Sequence, residues 1–138
     1  MELKKLSDIE IITTSNSKIN EVDFENLTFG NVFTDYMLVC DFENGAWQKP
    51  IITPYAPFLL DPSAKVFHYG QAIFEGMKAF KDNQEDVWLF RPDENYNRFN
   101  KSATRMAMPE VPEDIFMGGL HELLKIEKEW VKNGKGNT

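Results

Sequence analysis

The sequence has a single cysteine, Cys40, and this excludes an intrachain disulfide. Small domains that depend on disulfides are typical of oxidising compartments, so one thiol favours a reduced, cytoplasmic setting. Cys40 follows the apolar residues 37–39. We therefore predict that it is a small buried thiol.

Long apolar runs are also lacking. The longest uncharged stretch, residues 50–60, is interrupted by prolines and is too short to span a bilayer. The first residues include acidic side chains and no apolar segment, so no signal peptide is expected. Basic residues number 15 against 22 acidic ones, and the net charge of −7 argues against a nucleic acid or an anionic membrane as partner.

Histidine is scarce as well, and the two that occur, His68 and His121, lie far apart in the sequence. With one cysteine, they form no ligand pattern, so no metal site is predicted. A Gly-rich phosphate loop and a GxSxG nucleophile motif are both missing. We expect His121 to lie on the surface, since its neighbours are charged, and His68 to make a structural hydrogen bond.

The composition is that of a globular domain, with 42 % hydrophobic and 13 % aromatic residues. Residues 1–28 are predicted to form an N-terminal arm with a weak strand signal at 9–13. A turn at 29–31 precedes a strand through 32–42, and Asn44-Gly45 favours a tight turn. Residues 47–53 would then return as the second strand of a hairpin.

Prolines punctuate residues 54–62 and predict an extended surface connector. Residues 74–80 are predicted to form a strand that pairs antiparallel with 87–90. On that strand Phe74, Gly76 and Lys78 would share one face, and Glu75 and Met77 the other. A glycine inside a strand indicates either a close approach to the backbone or simple packing, so both interpretations of Gly76 stay open.

Two helices are predicted after these strands. The first begins at Pro92, which suits a first helical turn. Its core-facing stripe is predicted to be Tyr96, Phe99, Ala103 and Met106. The second begins near residue 113, with a predicted buried stripe of Phe116, Leu120, Leu123, Leu124 and Trp130. We therefore predict an α+β fold, a two-layer sandwich of a mainly antiparallel sheet with two helices packed on one face.

A polar stripe on the first helix contains Arg98, Ser102 and Arg105, at helical spacing on a face other than the apolar one. Arg98 has two possible interpretations. It is either a solvated surface arginine or a fixed guanidinium that binds an anion through two parallel hydrogen bonds, which suits a phosphate better than lysine would.

Three sequence blocks resemble the small domain of the branched-chain amino-acid aminotransferases, which use pyridoxal phosphate. The blocks are FGNVFTDYMLVCDF, LDPSAKVFHYGQAIFEGMKAF and LFRPDENYNRFNKSATRMAMP. The resemblance covers residues 29–131, which are therefore expected to form the small domain, and 132–138 would be a flexible tail leading to a linker.

Matched residue by residue, the resemblance implies that Arg98 binds the cofactor phosphate. It implies a substrate pocket lined by Phe29 and Phe74, with Tyr69 contributed across a homodimer interface. Gly76 and Lys78 are expected beside that pocket, on the face they share with Phe74. Without the resemblance, plain core packing would be the preferred interpretation of the aromatic residues.

The resemblance also implies what the chain would lack. In the family, a lysine in a second, C-terminal domain forms the Schiff base with the cofactor. No lysine here matches that motif, so no catalytic residue is assigned and the chain alone is expected to be inactive. The intact enzyme would transfer the amino group of leucine, isoleucine or valine to 2-oxoglutarate. The alternatives are a D-amino-acid aminotransferase or an aminodeoxychorismate lyase of the same fold, or a non-catalytic association module.

Overall fold

The structure is a computed structural model that describes residues 8–132. The strands are β1 (Glu10–Ile11), β2 (Tyr36–Val39), β3 (Phe42–Glu43), β4 (Ala46–Trp47), β5 (Ile51–Pro54), β6 (Ala79–Lys81) and β7 (Val87–Leu89). The α-helices are α1 (Lys65–Tyr69), α2 (Pro92–Arg105) and α3 (Gly119–Ile126). Short 3₁₀ turns occupy Ile19–Glu21 and Lys128–Trp130, and a π-helical turn occupies Asp114–Gly118. The predicted α+β class is confirmed.

The largest of the three sheets in the described residues has β5 at its centre. Strand β2 pairs with it antiparallel and β1 pairs with it parallel, so the strand signal predicted at 9–13 is confirmed. Ile52 lies opposite Leu38 on one side and Ile11 on the other. Directly opposed residues share one face of a sheet, and Ile52 is completely buried there. Ile52 is therefore the most buried position of this sheet, whereas Ile11 at the sheet edge is 43 % exposed.

Helix α3 packs against β2 through a glycine. A Cβ atom built on Gly119 would lie 2.4 Å from Cδ2 of Leu38, closer than any real contact allows. The glycine thus lets the helix backbone approach the sheet closely. Helix α2 in turn packs against the π-helical turn that precedes α3, so the two long helices and the β2–β5 sheet form one connected body.

The hairpin predicted across residues 32–53 is present but divided into two ladders. Strands β2 and β5 pair near the core, and β3 and β4 pair beyond them as a two-residue ribbon. Asn44 (φ 52°) and Gly45 (φ 80°) form the predicted turn, since both central residues adopt the left-handed region. Cys40, at the break between the two ladders, is only half-buried rather than buried as predicted, and its thiol contacts the Gln48 carbonyl oxygen at 3.2 Å.

The predicted strand at 74–80 is wrong for most of its length, although its partner at 87–90 is confirmed as β7. Only Ala79–Lys81 pairs with β7. The cause lies at Gly76, whose N–H donates to the Glu75 carboxylate at 3.0 Å and whose carbonyl accepts from Asn95 Nδ2 at 3.1 Å. Its backbone groups are thus bonded to side chains instead of a neighbouring strand. The predicted alternation in burial is still present, with Phe74, Gly76 and Lys78 exposed and Glu75 and Met77 half-buried.

The first predicted helix is confirmed as α2, and the second begins differently from the prediction. Apart from two glycines, the buried residues of the second are Ile115, Met117 and Glu122, whereas the predicted stripe at 116, 120, 123, 124 and 130 is half-buried. The π-helical turn explains the difference, because its wider turn shifts the angular position of each following residue relative to an α-helix.

The proline-rich connector contains an element that the sequence did not indicate. Residues 55–64 carry no helix or strand, as predicted, but α1 follows them directly. His68 Nε2 lies 2.8 Å from the Pro62 carbonyl oxygen, which ties α1 to the connector. The structural role predicted for His68 is therefore confirmed, and His121 is exposed on α3 as predicted.

Asp35, which directly precedes β2, bonds to the N-terminal arm and to the C-terminal 3₁₀ turn. Its carboxylate accepts the Ser17 hydroxyl at 2.5 Å, the Lys18 N–H at 2.8 Å and the Trp130 indole N–H at 3.1 Å. Partial burial raises the pKa of Asp35, but these hydrogen bonds lower it by more. The pKa of Asp35 therefore lies below its ordinary value. The Asp35 side chain thus bonds to both the arm and the C-terminal turn, in addition to the pairing of β1 with β5.

Glu127 beside this cluster should make stability depend on pH. Its side chain accepts the Tyr36 N–H at 2.5 Å and is only 4 % exposed, and burial raises its pKa above the ordinary value. The protonated form is favoured in the fold, so its contribution is complete below about pH 4.5 and is lost as pH rises through the raised pKa. We expect Glu127→Gln to increase the free energy of unfolding at pH 7, because the amide can still accept the Tyr36 N–H but carries no charge in this buried position.

Urea unfolding of both proteins at pH 4 and pH 7 measures this difference. It should disappear at pH 4, where the glutamate is protonated in the folded and unfolded states. A loss of stability at pH 7 would instead show that the ionised carboxylate is the favoured hydrogen-bond acceptor for Tyr36.

Candidate functional site

The candidate site is built on helix α2, which begins at a sharp change of direction. Arg91, the residue before the helix, has a left-handed backbone (φ 48°), and Pro92 occupies the first turn. The Arg91 guanidinium pairs with Glu94 at 2.7 Å, which closes the first turn. Arg98 follows one turn later on the exposed side of the helix.

Arg98 is held by Glu75 through two parallel hydrogen bonds. Its Nε donates to Glu75 Oε2 at 2.8 Å, and its Nη2 donates to Glu75 Oε1. Asn95 Nδ2 also donates to Oε1, at 3.2 Å. The two partners differ in exposure, because 7 % of the Glu75 side chain is accessible against 68 % of the Arg98 side chain.

The ion pair is charged throughout the neutral range. The hydrogen bond from Arg98 is the largest influence on Glu75 and, despite the opposing effect of burial, lowers its pKa to about 2. The same carboxylate raises the pKa of Arg98. Acidification would therefore disrupt this pair only at very low pH.

Arg98 and Phe74 line the same open groove, of about 1030 Å³. Helix α2 forms one wall, and it contributes two further cations, Lys101 and Arg105, as well as Ser102. The remaining lining residues are Ala72, Ile73, Tyr96, Asn97, Asn100, Thr104, Met106 and Glu110. Although the chain is acidic overall, this wall concentrates positive charge beside an aromatic side chain, and this suits an anionic group with an apolar body.

A second, smaller cavity of about 540 Å³ contains Lys78 in its lining. Its other walls come from the β6–β7 hairpin and from Asn95, which lies between this cavity and the Arg98 ion pair. Gly76 is joined to the same cluster by its carbonyl bond to Asn95. Gly76 and Arg98 are thus bonded to the polar cluster of Glu75 and Asn95, while Phe74 and Lys78 line the two cavities beside it.

Two of the predicted site residues lie outside these cavities. Phe29 occupies a turn closed by the Asn31 N–H and the Thr28 carbonyl oxygen, and it is 98 % exposed. Tyr69, at the end of α1, is 80 % exposed. Phe74 is 92 % exposed as well. Plain core packing, the alternative interpretation of these aromatic residues, is therefore wrong for all three.

Glu75 and Asn95 are the site residues that the sequence interpretation missed. Asn95 lies three residues before Arg98, so helical spacing alone places it next to the arginine. Glu75 gave a weaker signal, an acidic residue on the half-buried face of residues 74–80. A carboxylate in that position requires a partner, and a nearby arginine is the usual one.

No group of three or more histidine, cysteine or acidic side chains within residues 8–132 could hold a metal ion. In the same range, no helix has both the length and the apolar character needed to cross a bilayer.

Comparison with known proteins identifies relatives, although no model of a protein family matches the chain. It is 50 % identical over 117 residues to branched-chain-amino-acid transaminase 1 of Bacillus subtilis and 40 % identical over 136 residues to branched-chain-amino-acid aminotransferase 2 of that organism. It is 40 % identical over 119 residues to the branched-chain-amino-acid aminotransferase of Mycolicibacterium smegmatis.

These matches cover 84 %, 98 % and 86 % of this chain, but only 33 %, 37 % and 32 % of the three relatives. The chain therefore spans about a third of the length of these relatives. The resemblance that the three sequence blocks indicate is confirmed, because the sequence identity to these aminotransferases extends over 117 to 136 residues. Over the matched residues, the chain is similar to branched-chain amino-acid aminotransferases.

Proposed function

We propose that residues 29–131 are the N-terminal small domain of a branched-chain amino-acid aminotransferase. The intact polypeptide would transfer the amino group of leucine, isoleucine or valine to 2-oxoglutarate in the cytoplasm. The names of the relatives support this reaction class, and the fraction of their length that is matched supports a partial chain. The observation that carries the proposal is the position of Arg98. Glu75 binds one edge of its guanidinium, and Arg98 and Phe74 line the same groove.

The groove fits the phosphate of pyridoxal phosphate. A guanidinium has five N–H donors, and Glu75 accepts two of those of Arg98, so three stay available to a phosphate. Lys101 and Arg105 add positive charge on the same wall. When bound, the cofactor supplies an electron sink for the substrate carbanion. This chain would bind and orient the phosphate, and the lysine that tethers the cofactor would come from outside it.

The exposed aromatic residues would complete the substrate pocket after assembly. Phe74 is beside the phosphate groove, while Phe29 and Tyr69 present rings that nothing in the described residues covers. We propose that Phe29 and Phe74 contact the aliphatic side chain of the substrate and that Tyr69 reaches the site of a second subunit in a homodimer. Gly76 and Lys78 would border the pocket. An apolar wall recognises branched substrates by buried area and shape.

The experiment is an amino-transfer assay on the full-length polypeptide with pyridoxal phosphate and 2-oxoglutarate. Leucine, isoleucine and valine should each yield glutamate, while D-alanine should not. The 138-residue chain assayed alone should be inactive. Activity on D-alanine only would assign the chain to the D-amino-acid aminotransferases. A full-length protein that neither binds pyridoxal phosphate nor transfers an amino group would indicate a non-catalytic module.

A further inference from the structure

The Glu75 carboxylate is the most completely bonded polar group of the candidate site. Its Oε1 accepts from Arg98 Nη2, from Asn95 Nδ2 and from the Gly76 N–H at 3.0 Å, and its Oε2 accepts from Arg98 Nε. Four donors converge on one carboxylate whose side chain is 7 % exposed. Such a group has a fixed position, because any movement would break several bonds in a poorly solvated place.

Glu75 therefore binds only one edge of the Arg98 guanidinium. The bonds to Glu75 use its Nε and Nη2 edge, and its side chain is otherwise 68 % exposed at the groove. A free arginine side chain samples many rotamers, and part of this freedom is lost when it binds an anion. A guanidinium already fixed along one edge has lost this freedom before the anion arrives.

From this geometry we infer that Glu75 is a positioning residue, which fixes the Arg98 guanidinium so that its remaining N–H groups receive the cofactor phosphate. The inference rests on the proposed function and adds to it a residue that does not itself touch the cofactor. Asn95 supports the same arrangement, since it bonds both to Glu75 and to the Gly76 carbonyl oxygen.

The opposite role is physically possible and has the opposite consequence. Glu75 is an anion, so it could compete with the phosphate for Arg98 and have to be displaced. The bonds from Asn95 and Gly76 argue against displacement, because moving the carboxylate would leave the Gly76 N–H without its acceptor and would break one of the two bonds that Asn95 Nδ2 donates. Removing Glu75 should therefore weaken phosphate binding if it positions Arg98, and strengthen it if it competes.

The test compares pyridoxal phosphate with pyridoxal, which lacks the phosphate, as ligands of the full-length protein. Affinities are measured by quenching of tryptophan fluorescence. We expect Glu75→Gln to weaken pyridoxal phosphate binding roughly tenfold, a typical effect within one ion-pair network, and to leave pyridoxal binding unchanged. Glu94→Gln is the matched control, because Glu94 pairs with Arg91 on the same helix outside the groove, and it should change neither affinity.

Glu75→Asp provides a second variant that keeps the charge but is one methylene too short to bond both guanidinium nitrogens. It should lose part of the phosphate-specific affinity. Circular dichroism of each variant verifies that the fold is retained.

Each outcome has one meaning. If the wild-type protein binds pyridoxal phosphate no better than pyridoxal, the phosphate role in the proposed function is wrong. If the wild type prefers pyridoxal phosphate and Glu75→Gln keeps that preference in full, the positioning role is wrong. Tighter binding of pyridoxal phosphate by Glu75→Gln would also overturn it and show that Glu75 competes for the arginine.

Discussion

Arg98→Ala in the full-length protein should weaken binding of pyridoxal phosphate about 100-fold, in the range for the loss of one partner from a desolvated charge pair. The phosphate would lose a charged hydrogen-bond donor that lines the groove. Pyridoxal binding should change far less, because it has no phosphate to lose a partner. Equilibrium dialysis with each ligand measures both affinities.

The variant also leaves Glu75 without its principal partner, and this requires a control. Arg98→Lys keeps a positive charge near Glu75 but cannot make two parallel bonds, so it should recover only part of the affinity. Arg91→Ala removes an arginine from the start of the same helix, outside the groove, and should leave the affinity unchanged. Unchanged pyridoxal phosphate affinity in Arg98→Ala would remove the phosphate assignment.

The part of this site that could be predicted from the sequence is the part determined locally. Pro92, the acidic first turn and the spacing of apolar residues specify α2, and the helix then determines that Arg98, Ser102 and Arg105 share one face. All three line the groove. The separation of Phe74 and Glu75 onto different faces of an alternating segment could also be predicted, although which face is exposed could not.

What the sequence could not show depends on contacts between distant segments. Glu75 and Arg98 are 23 residues apart, and their pairing requires the fold to place residues 74–80 beside α2. The same contact explains the incorrect strand, because Asn95 and the Glu75 carboxylate take the backbone groups of Gly76 that a strand would need. β-propensity describes a segment that can pair, and tertiary bonds decide whether it does.

The π-helical turn before α3 is a second case of this kind. Periodicity at 3.6 residues identified the helix but misplaced its buried face, since one wide turn rotates everything that follows. The burial of Ile115 and Met117 stabilises the π-helical turn, although the spacing of apolar residues in the sequence indicates an ordinary α-helix.

Ile52→Ala should cause the largest loss of stability of any single change discussed. Ile52 is completely buried on the central strand, between Ile11 and Leu38, and Leu38 is the residue that helix α3 contacts at Gly119. Its truncation would leave a cavity where the sheet meets the helix, and such changes lower the free energy of unfolding by about 2–5 kcal/mol. Ile52→Val removes one methylene and should lower it by about 0.5–1.5 kcal/mol.

Ile12→Ala is the matched control, because Ile12 donates its N–H to the Ile52 carbonyl oxygen but its side chain is 46 % exposed. The same truncation there should change stability by less than about 0.5 kcal/mol, as is usual for surface positions. Urea unfolding followed by tryptophan fluorescence measures all three variants. Equal losses in Ile52→Ala and Ile12→Ala would show that this sheet face is not the core, and that the fold instead depends on the contacts between the helices.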